Sequence, residues 1–185
     1  MSQVPMGLAA EVRTTRLLLP LITPDEAADM LAGRRRPPWH ADYPREDDRD
    51  AASMISAGDP WGPRHVVRAF DGLVCGSIGF FGPPQDHDGV AETEVGYGLV
   101  EEARGRGVAT EALRALLDET DRLGVRIRAS VRPDNADSIR VLAKCGFTDL
   151  RGTTDDGELV MVRPLPVRDP APAAAGQAPG QAPGT

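Results

Sequence analysis

Two cysteines, Cys75 and Cys145, are all that the 185 residues contain. They stand far apart and form no C-x-x-C pair, which excludes a disulfide framework and a thiolate metal knuckle. Each is expected as a small buried residue in a reduced cytoplasm. Aromatic residues are also scarce, at 4%. An excess of positive charge is missing too. Lysine and arginine total 21 against 28 acidic residues, a formal net charge of −7, with a pI near 5.0. That balance argues against a nucleic-acid partner. It would suit a basic substrate, although acidity is common among soluble proteins in general. No apolar run approaches the ~20 residues that a bilayer span needs. No basic segment followed by an apolar core opens the chain, so neither a secretion signal nor a membrane partner is expected, and the location is read as cytoplasmic.

What is present is an apolar content of 41%, enough for one core and one domain. Residues 1–12 read as a flexible leader, 13–166 as the domain, and 167–185 as a disordered tail, because Pro, Ala, Gly and Gln dominate there. Within the domain, Arg13 to Ile22 reads as a first strand. Thr23, Pro24 and Glu26 then form an N-cap, first-turn and capping-box signature for a helix that Gly33 ends. Arg34 to Pro44 is irregular, and Glu46 to Ala57 reads as a second helix. Arg64–Phe70 and Leu73–Phe81 read as strands of a hairpin about Asp71-Gly72.

Glu94 to Leu113 organises the rest. Val95, Tyr97 and Leu99 alternate with Gly96 and Gly98 in a strand pattern, with glycines where another group can come close to the backbone. Arg104 to Thr110 supplies a glycine turn, and Val108 to Leu123 is the most strongly amphipathic helix of the chain. A helix start offers free N–H groups and the positive end of the dipole, and Arg104 and Arg106 add charge, so the corner suits a diphosphate. Val125–Val131 reads as a strand and Ala136–Lys144 as a helix after the Arg132–Asn135 turn. Phe147–Arg151 and Glu158–Arg163 read as closing strands about Asp155-Asp156-Gly157. The order predicts an α/β domain of α+β type with a largely antiparallel sheet.

Two motifs carry a family resemblance. Arg104-Gly105-Arg106-Gly107-Val108-Ala109 fits Arg/Gln-x-x-Gly-x-Gly/Ala at a helix start. Asn135 to Ser138, followed by Lys144-Cys145-Gly146-Phe147, fits Asn-x-x-Ser ahead of Lys-x-Gly-Phe. With one helix and one strand between them, the chain resembles the GNAT N-acetyltransferase superfamily. Its opening, Arg13 to Leu19 and Thr23 to Ala27, is similar to the branch of Rim-type ribosomal-protein acetyltransferases. The resemblance implies a mixed, mostly antiparallel sheet of about six to seven strands flanked by about four helices. It also implies acetyl-CoA as co-substrate. By the same likeness, Arg104, Gly105, Arg106, Gly107, Val108, Ala109 and Thr110 hold the pyrophosphate. Val95, Tyr97, Leu99 and Val100 pair with the pantetheine arm, and Asn135 and Ser138 contribute from the next helix.

Transfer to an amine requires the amine to lose a proton, and Glu94 is the expected general base, with Glu92 as the same-face alternative. Either could instead be a solvated residue or an arginine's partner. Many relatives carry a tyrosine ahead of Lys-x-Gly-Phe as the acid for the leaving thiolate. Leu142 and Ala143 stand there in this chain, which leaves Ser138 or water. Helix capping is the plainer role for Asn135 and Ser138. Trp39, His40 and Tyr43 fall where the family builds its acceptor pocket, though each could equally be structural. Asp86, His87 and Asp88 are adjacent loop residues with no second cluster to complete a metal site, so no metal is expected. No Gly-Lys-Ser/Thr makes a P-loop, and Gly-x-Gly-x-x-Gly is incomplete at Thr110. The acceptor reads as a peptide N-terminus or a small-molecule amine, and the protein itself as a monomer or homodimer. The other reading is a non-catalytic acyl-CoA-binding sensor or interaction module.

Overall fold

A computed structural model describes residues 7–166. The stretch read as a disordered tail lies outside the described residues, as does the first half of the leader. Nine strands and four helices follow in the order β1 (Glu11–Arg13), β2 (Leu17–Pro20), α1 (Pro24–Leu31), α2 (Glu46–Ser53), β3 (Arg64–Arg68), β4 (Val74–Phe80), β5 (Gln85–His87), β6 (Val90–Leu99), α3 (Val108–Leu123), β7 (Arg126–Val131), α4 (Ala136–Lys144), β8 (Asp149–Thr153) and β9 (Leu159–Arg163). The sheet runs β1-β2-β3-β4-β6-β7-β9-β8, with β5 laid against β6. Every pairing is antiparallel except β6 with β7. No helix among the described residues is long and apolar enough to cross a membrane.

Nine strands replace the expected six to seven, because β1 and β5 have three residues each, too few to show a period. The stretch from Arg13 to Ile22 is not one strand: Arg13 ends β1, a turn follows, and the apolar residues form β2. Thr14 Oγ1 accepts from the N–H of Arg16 at 3.3 Å and of Leu17 at 2.9 Å, turning the chain so that Val12 pairs with Leu19. Leu8 and Val12, inside the stretch read as a leader, are buried. The local signatures elsewhere hold. Thr23 and Glu26 form a reciprocal capping box, with Pro24 at the first helical position of α1. Asp71-Gly72 lies between the antiparallel β3 and β4.

The core is built on α3. Val108, Ala112, Leu113, Leu116 and Leu117 are buried along one helical stripe, each worth about 1.5–3 kcal/mol for the larger side chains. Gly124, at φ 71°, ends the helix in the left-handed conformation that glycine adopts without a Cβ clash. α3 packs on β1, β2, β6 and β7, and α4 packs on α3 and β7. Cys75 and Cys145 are free and buried as expected, and burial pushes the Cys75 thiol up to about 11.

The pairing of β6 changes partner along its length. Glu92 to Glu94 pair with Arg126 to Arg128 of β7. Val95 to Leu99 pair with Phe80 to Gly76 of β4 on the other side. Beyond Glu94 and Arg128 the two parallel strands share no ladder, while β7 keeps its pairing with β9 through Val131. A gap therefore opens in the sheet beside the second half of β6.

Candidate active site at the parting of two strands

The hydrogen-bond pattern decides what faces the gap. The N–H of Phe81 donates to Glu94 O at 3.0 Å, and the N–H of Val100 donates to Cys75 O at 2.9 Å. Backbone groups of the even positions 94, 96, 98 and 100 therefore turn toward β4, and those of Val95, Tyr97 and Leu99 turn toward the gap. This is half a β-ladder without a strand to complete it. An amide-bearing arm laid in the gap would find alternating donors and acceptors.

The gap leads to the glycine turn. After a single 3-10 turn at Glu101–Ala103, Gly105 has φ 70° and Gly107 has φ 77°. Gly107 is the N-cap of α3 and has no side chain to close the helix end. The N–H groups of residues 105–110 have no hydrogen-bond partner among the described residues, and all lie around one helix start. Arg104 folds back, with Nε donating to Leu99 O at 3.0 Å, and so joins the turn to the free edge of β6. Arg106 is exposed. Arg16, which no sequence signal singled out, arrives from the β1–β2 turn. It donates to Arg106 O at 3.1 Å and pairs with Glu111 at 2.6 Å. Positive charge, free N–H groups and the helix dipole converge here, an arrangement that favours an anion. A cavity of 740 Å³ runs from this turn along the outer side of α3, where Arg114 and Arg122 alternate with Glu111, Asp118 and Glu119.

Glu94 stands at the point where the strands part. Its carboxylate pairs with Arg128 at 2.9 Å and lines a 290 Å³ pocket with His87, Thr93 and Phe81. Glu92 has a different setting. It is buried, and both Arg126 and Arg151 hydrogen-bond to it. Burial raises its carboxyl, but the two guanidinium groups more than offset that and hold it below the usual range. Glu92 thus ties β6, β7 and β8 together, and Glu94 is the more accessible acid.

On the far side of the gap, Asn135 Oδ1 accepts from the N–H of Ser138 at 3.1 Å, capping α4. The plain role of Asn135 is therefore seen directly. Tyr97 reaches across from β6, its hydroxyl donating to Ser138 O at 3.3 Å. Burial pushes the Tyr97 phenol up to about 12, so it stays a neutral donor. Tyr97 and the first turn of α4 close one side of the gap, with Ser138 beside them.

The expectation for Trp39, His40 and Tyr43 needs correction. Trp39 is 6% exposed and Tyr43 1%. Their rings meet edge-on at 5.6 Å, and the Tyr43 hydroxyl hydrogen-bonds His65 Nδ1 at 2.9 Å. They form core, because β3 and β4 lie directly beneath this segment. His40 donates to Glu102 at 2.7 Å and anchors the 3-10 turn. None of the three lines the groove over the even face of β6. That 320 Å³ groove is bounded by Arg45 and α2 on one side, and by Ser77–Phe81 and Gly96–Gly98 below. Glycine in its floor makes room for two side chains, since a Cβ on Gly98 would lie 2.0 Å from the Arg45 guanidinium and one on Gly96 would lie 2.8 Å from the Phe81 ring. Sequence reasoning passed over Arg45 and Phe81, whose only signal was the pair of glycines that make room for them. Among the described residues, no group of three or more His, Cys, Asp or Glu side chains is placed to hold a metal ion.

Comparison with known proteins matches the same architecture. Among solved structures, an acetyltransferase from Agrobacterium tumefaciens superposes with a TM-score of 0.58 at 24% identity, over 88% of this chain and 98% of its own. The ribosomal-protein-S5-alanine acetyltransferase of Vibrio fischeri gives 0.60 at 17% identity, over 88% and 100%. RimJ of Mycobacterium smegmatis, solved with CoA-disulfide, gives 0.55 at 23% identity, over 82% and 86%. No curated protein sequence matches the chain significantly. The model of the acetyltransferase (GNAT) domain matches residues 16–148, most of the chain and both motifs up to Phe147, and so the chain belongs to the GNAT acetyltransferase family.

Proposed function

We propose that the protein transfers the acetyl group of acetyl-CoA to a primary amine. The observation that carries this reading is the edge of β6 beyond Glu94, centred on Tyr97, which no strand pairs and which runs straight into the N–H groups around Gly107. An amide-rich arm and a diphosphate in succession match that edge and that turn in order. Family membership and the CoA-bound RimJ structure support the same donor. The residues that hold it are Val95, Tyr97, Leu99 and Val100 along the arm and Arg104 to Thr110 at the diphosphate, with Arg16 as an additional cation. Asn135 and Ser138 form the opposite wall.

In the reaction the amine nitrogen attacks the thioester carbonyl. A C–N bond forms, the C–S bond breaks, and the amine proton passes to Glu94, directly or through one water. The departing thiolate takes a proton from the Ser138 hydroxyl or from water. Arg128 holds the Glu94 carboxylate at the mouth of the gap, and Tyr97 positions the start of α4. The acceptor is a peptide N-terminus or a small-molecule amine, and the ribosomal-protein acetyltransferases among the structural relatives favour the peptide.

Purified protein mixed with acetyl-CoA and a panel of amines is expected to release free thiol above the amine-free rate. Glu94→Gln is expected to lower kcat about 10²-fold or more with CoA affinity nearly unchanged. Tight CoA binding without acetylation of any amine would replace the enzyme with a non-catalytic acyl-CoA sensor. An unchanged pH–rate profile in Glu94→Gln would remove the base role.

A further inference from the structure

The groove over Gly96 and Gly98 has a chemical character of its own. α2 is short and buries only Asp48 and Ala52. Asp47, Asp50, Ala51 and Met54, spaced as one face of that helix, line the groove instead of the core. Opposite them stand Pro63 and Phe81. Met54 is 50% exposed and Phe81 58%, two of the five large apolar side chains that remain exposed among the described residues, and both border this one groove. Exposed apolar groups concentrated in one concavity mark a surface that a ligand covers.

Charge adds direction. The positive group at the groove is Arg45, and it is already neutralised. Asp48, fully buried behind it, accepts from Arg45 Nε at 2.9 Å and from Nη2 at 2.8 Å. Asp47 lies 3.8 Å from the same guanidinium. Asp50 makes no ion pair among the described residues. No other charged side chain lines the groove, so Arg45 with Asp47, Asp48 and Asp50 leaves an excess of two negative charges around an apolar centre. The volume, 320 Å³, is at the lower end of small-ligand sites, so one or two residues of a peptide, or a small amine, fill it.

We infer that the acceptor is an amine borne on an apolar group with a second positive charge about one residue away. The apolar group lies between Met54 and Phe81, and the second charge meets Asp47 and Asp50. This rests on the acetyl-transfer reading and deepens it to a substrate class. Two sources share that chemistry, a peptide N-terminus with an apolar first and a basic second residue, and an alkyl diamine.

The test measures kcat/KM by thiol release for five acceptors. Three are tetrapeptide amides, with leucine then arginine, leucine then glutamate, and glycine then arginine at the start. The others are an alkyl diamine and the monoamine of equal length. The leucine–arginine peptide is expected to exceed the leucine–glutamate peptide by about fivefold or more, in line with two exposed ion pairs. It is expected to exceed the glycine–arginine peptide about tenfold, in line with partial burial of one leucine side chain. In the double variant Asp47→Asn, Asp50→Asn the arginine-to-glutamate ratio falls toward one, and rising salt lowers the ratio in the parent protein. If instead the diamine is the better substrate and exceeds the monoamine by a similar factor, the same inference holds with a small molecule as its source. Turnover indifferent to charge and to the apolar group, or a ratio unmoved in the double variant, overturns the inference alone. Absence of turnover with all five acceptors, with acetyl-CoA bound, overturns the transfer reading and the inference with it.

Discussion

Replacing Asp48 by alanine tests how α2 is held over the sheet. The Asp48 carboxylate is 0% exposed and accepts four hydrogen bonds. Three come from Arg45, through its backbone N–H at 2.8 Å, Nε at 2.9 Å and Nη2 at 2.8 Å. The fourth comes from Ser77 Oγ on β4 at 2.5 Å. One side chain thus caps α2, neutralises Arg45 and fastens both to the floor of the groove. Asp48→Ala leaves the Arg45 guanidinium, itself 19% exposed, without its main counter-charge. Breaking a buried pair by removing one partner costs about 3–5 kcal/mol, the lost cap included. For a domain of this size each kcal/mol lowers Tm by about 2–4 °C, so a fall of about 6–20 °C is expected. Trp39 and Trp61 are buried and report unfolding in urea through their fluorescence. Arg45→Met combined with Asp48→Leu is expected to recover most of the loss, because it replaces the pair with apolar contact instead of stranding a charge. A loss below about 1 kcal/mol in Asp48→Ala would refute the view that this cluster holds α2 in place.

Glu92 predicts a pH dependence. Its carboxyl is held below the ordinary value of 4.5, since the Arg151 and Arg126 bonds outweigh the effect of burial. A depressed carboxyl stabilises the fold above the unfolded value and loses that contribution as pH falls through the folded one. Urea midpoints should therefore separate the parent from Glu92→Gln at pH 7 and draw together as pH falls below the ordinary value of 4.5 and through the lower folded value, whereas a constant gap would show that Glu92 carries no linked proton. Gly107→Ala places a Cβ where the nearest atom, Arg16 Nη2, is 3.5 Å away, so space is not the obstacle. The φ of 77° is, at about 1–2 kcal/mol for a non-glycine residue. The N–H groups at the helix start are expected to shift, weakening CoA binding about tenfold or more by calorimetry, and an unchanged affinity would separate the turn from the diphosphate.

Much of the site was legible because its signals are local. The glycines at 105 and 107 adopt the positive φ values that only glycine accepts easily. The stripe of α3 repeats with the helical period, and the Asn135 cap sits three residues before the N–H it receives. Three features were not legible from local signals. Trp39 and Tyr43 look like pocket residues until β3 and β4 are placed beneath them, and then they are core. Arg16 reads as an ordinary strand residue until the β1–β2 hairpin brings it 90 positions along the chain to Arg106. The α2 face at Asp47, Asp50 and Met54 carries no local signal that sets it apart from the rest of the helix until the groove appears under it.

The sequence by itself determined the family and the strand–turn–helix corner with Glu94 at the head of its strand, since motif spacing, glycine conformation and helical period are properties of neighbouring residues. Only the tertiary structure decided that β6 exchanges β7 for β4 at Glu94, and that the edge beyond it stays open. A register between strands more than 30 positions apart depends on how α3, which joins them, packs against both, and no local pattern encodes that.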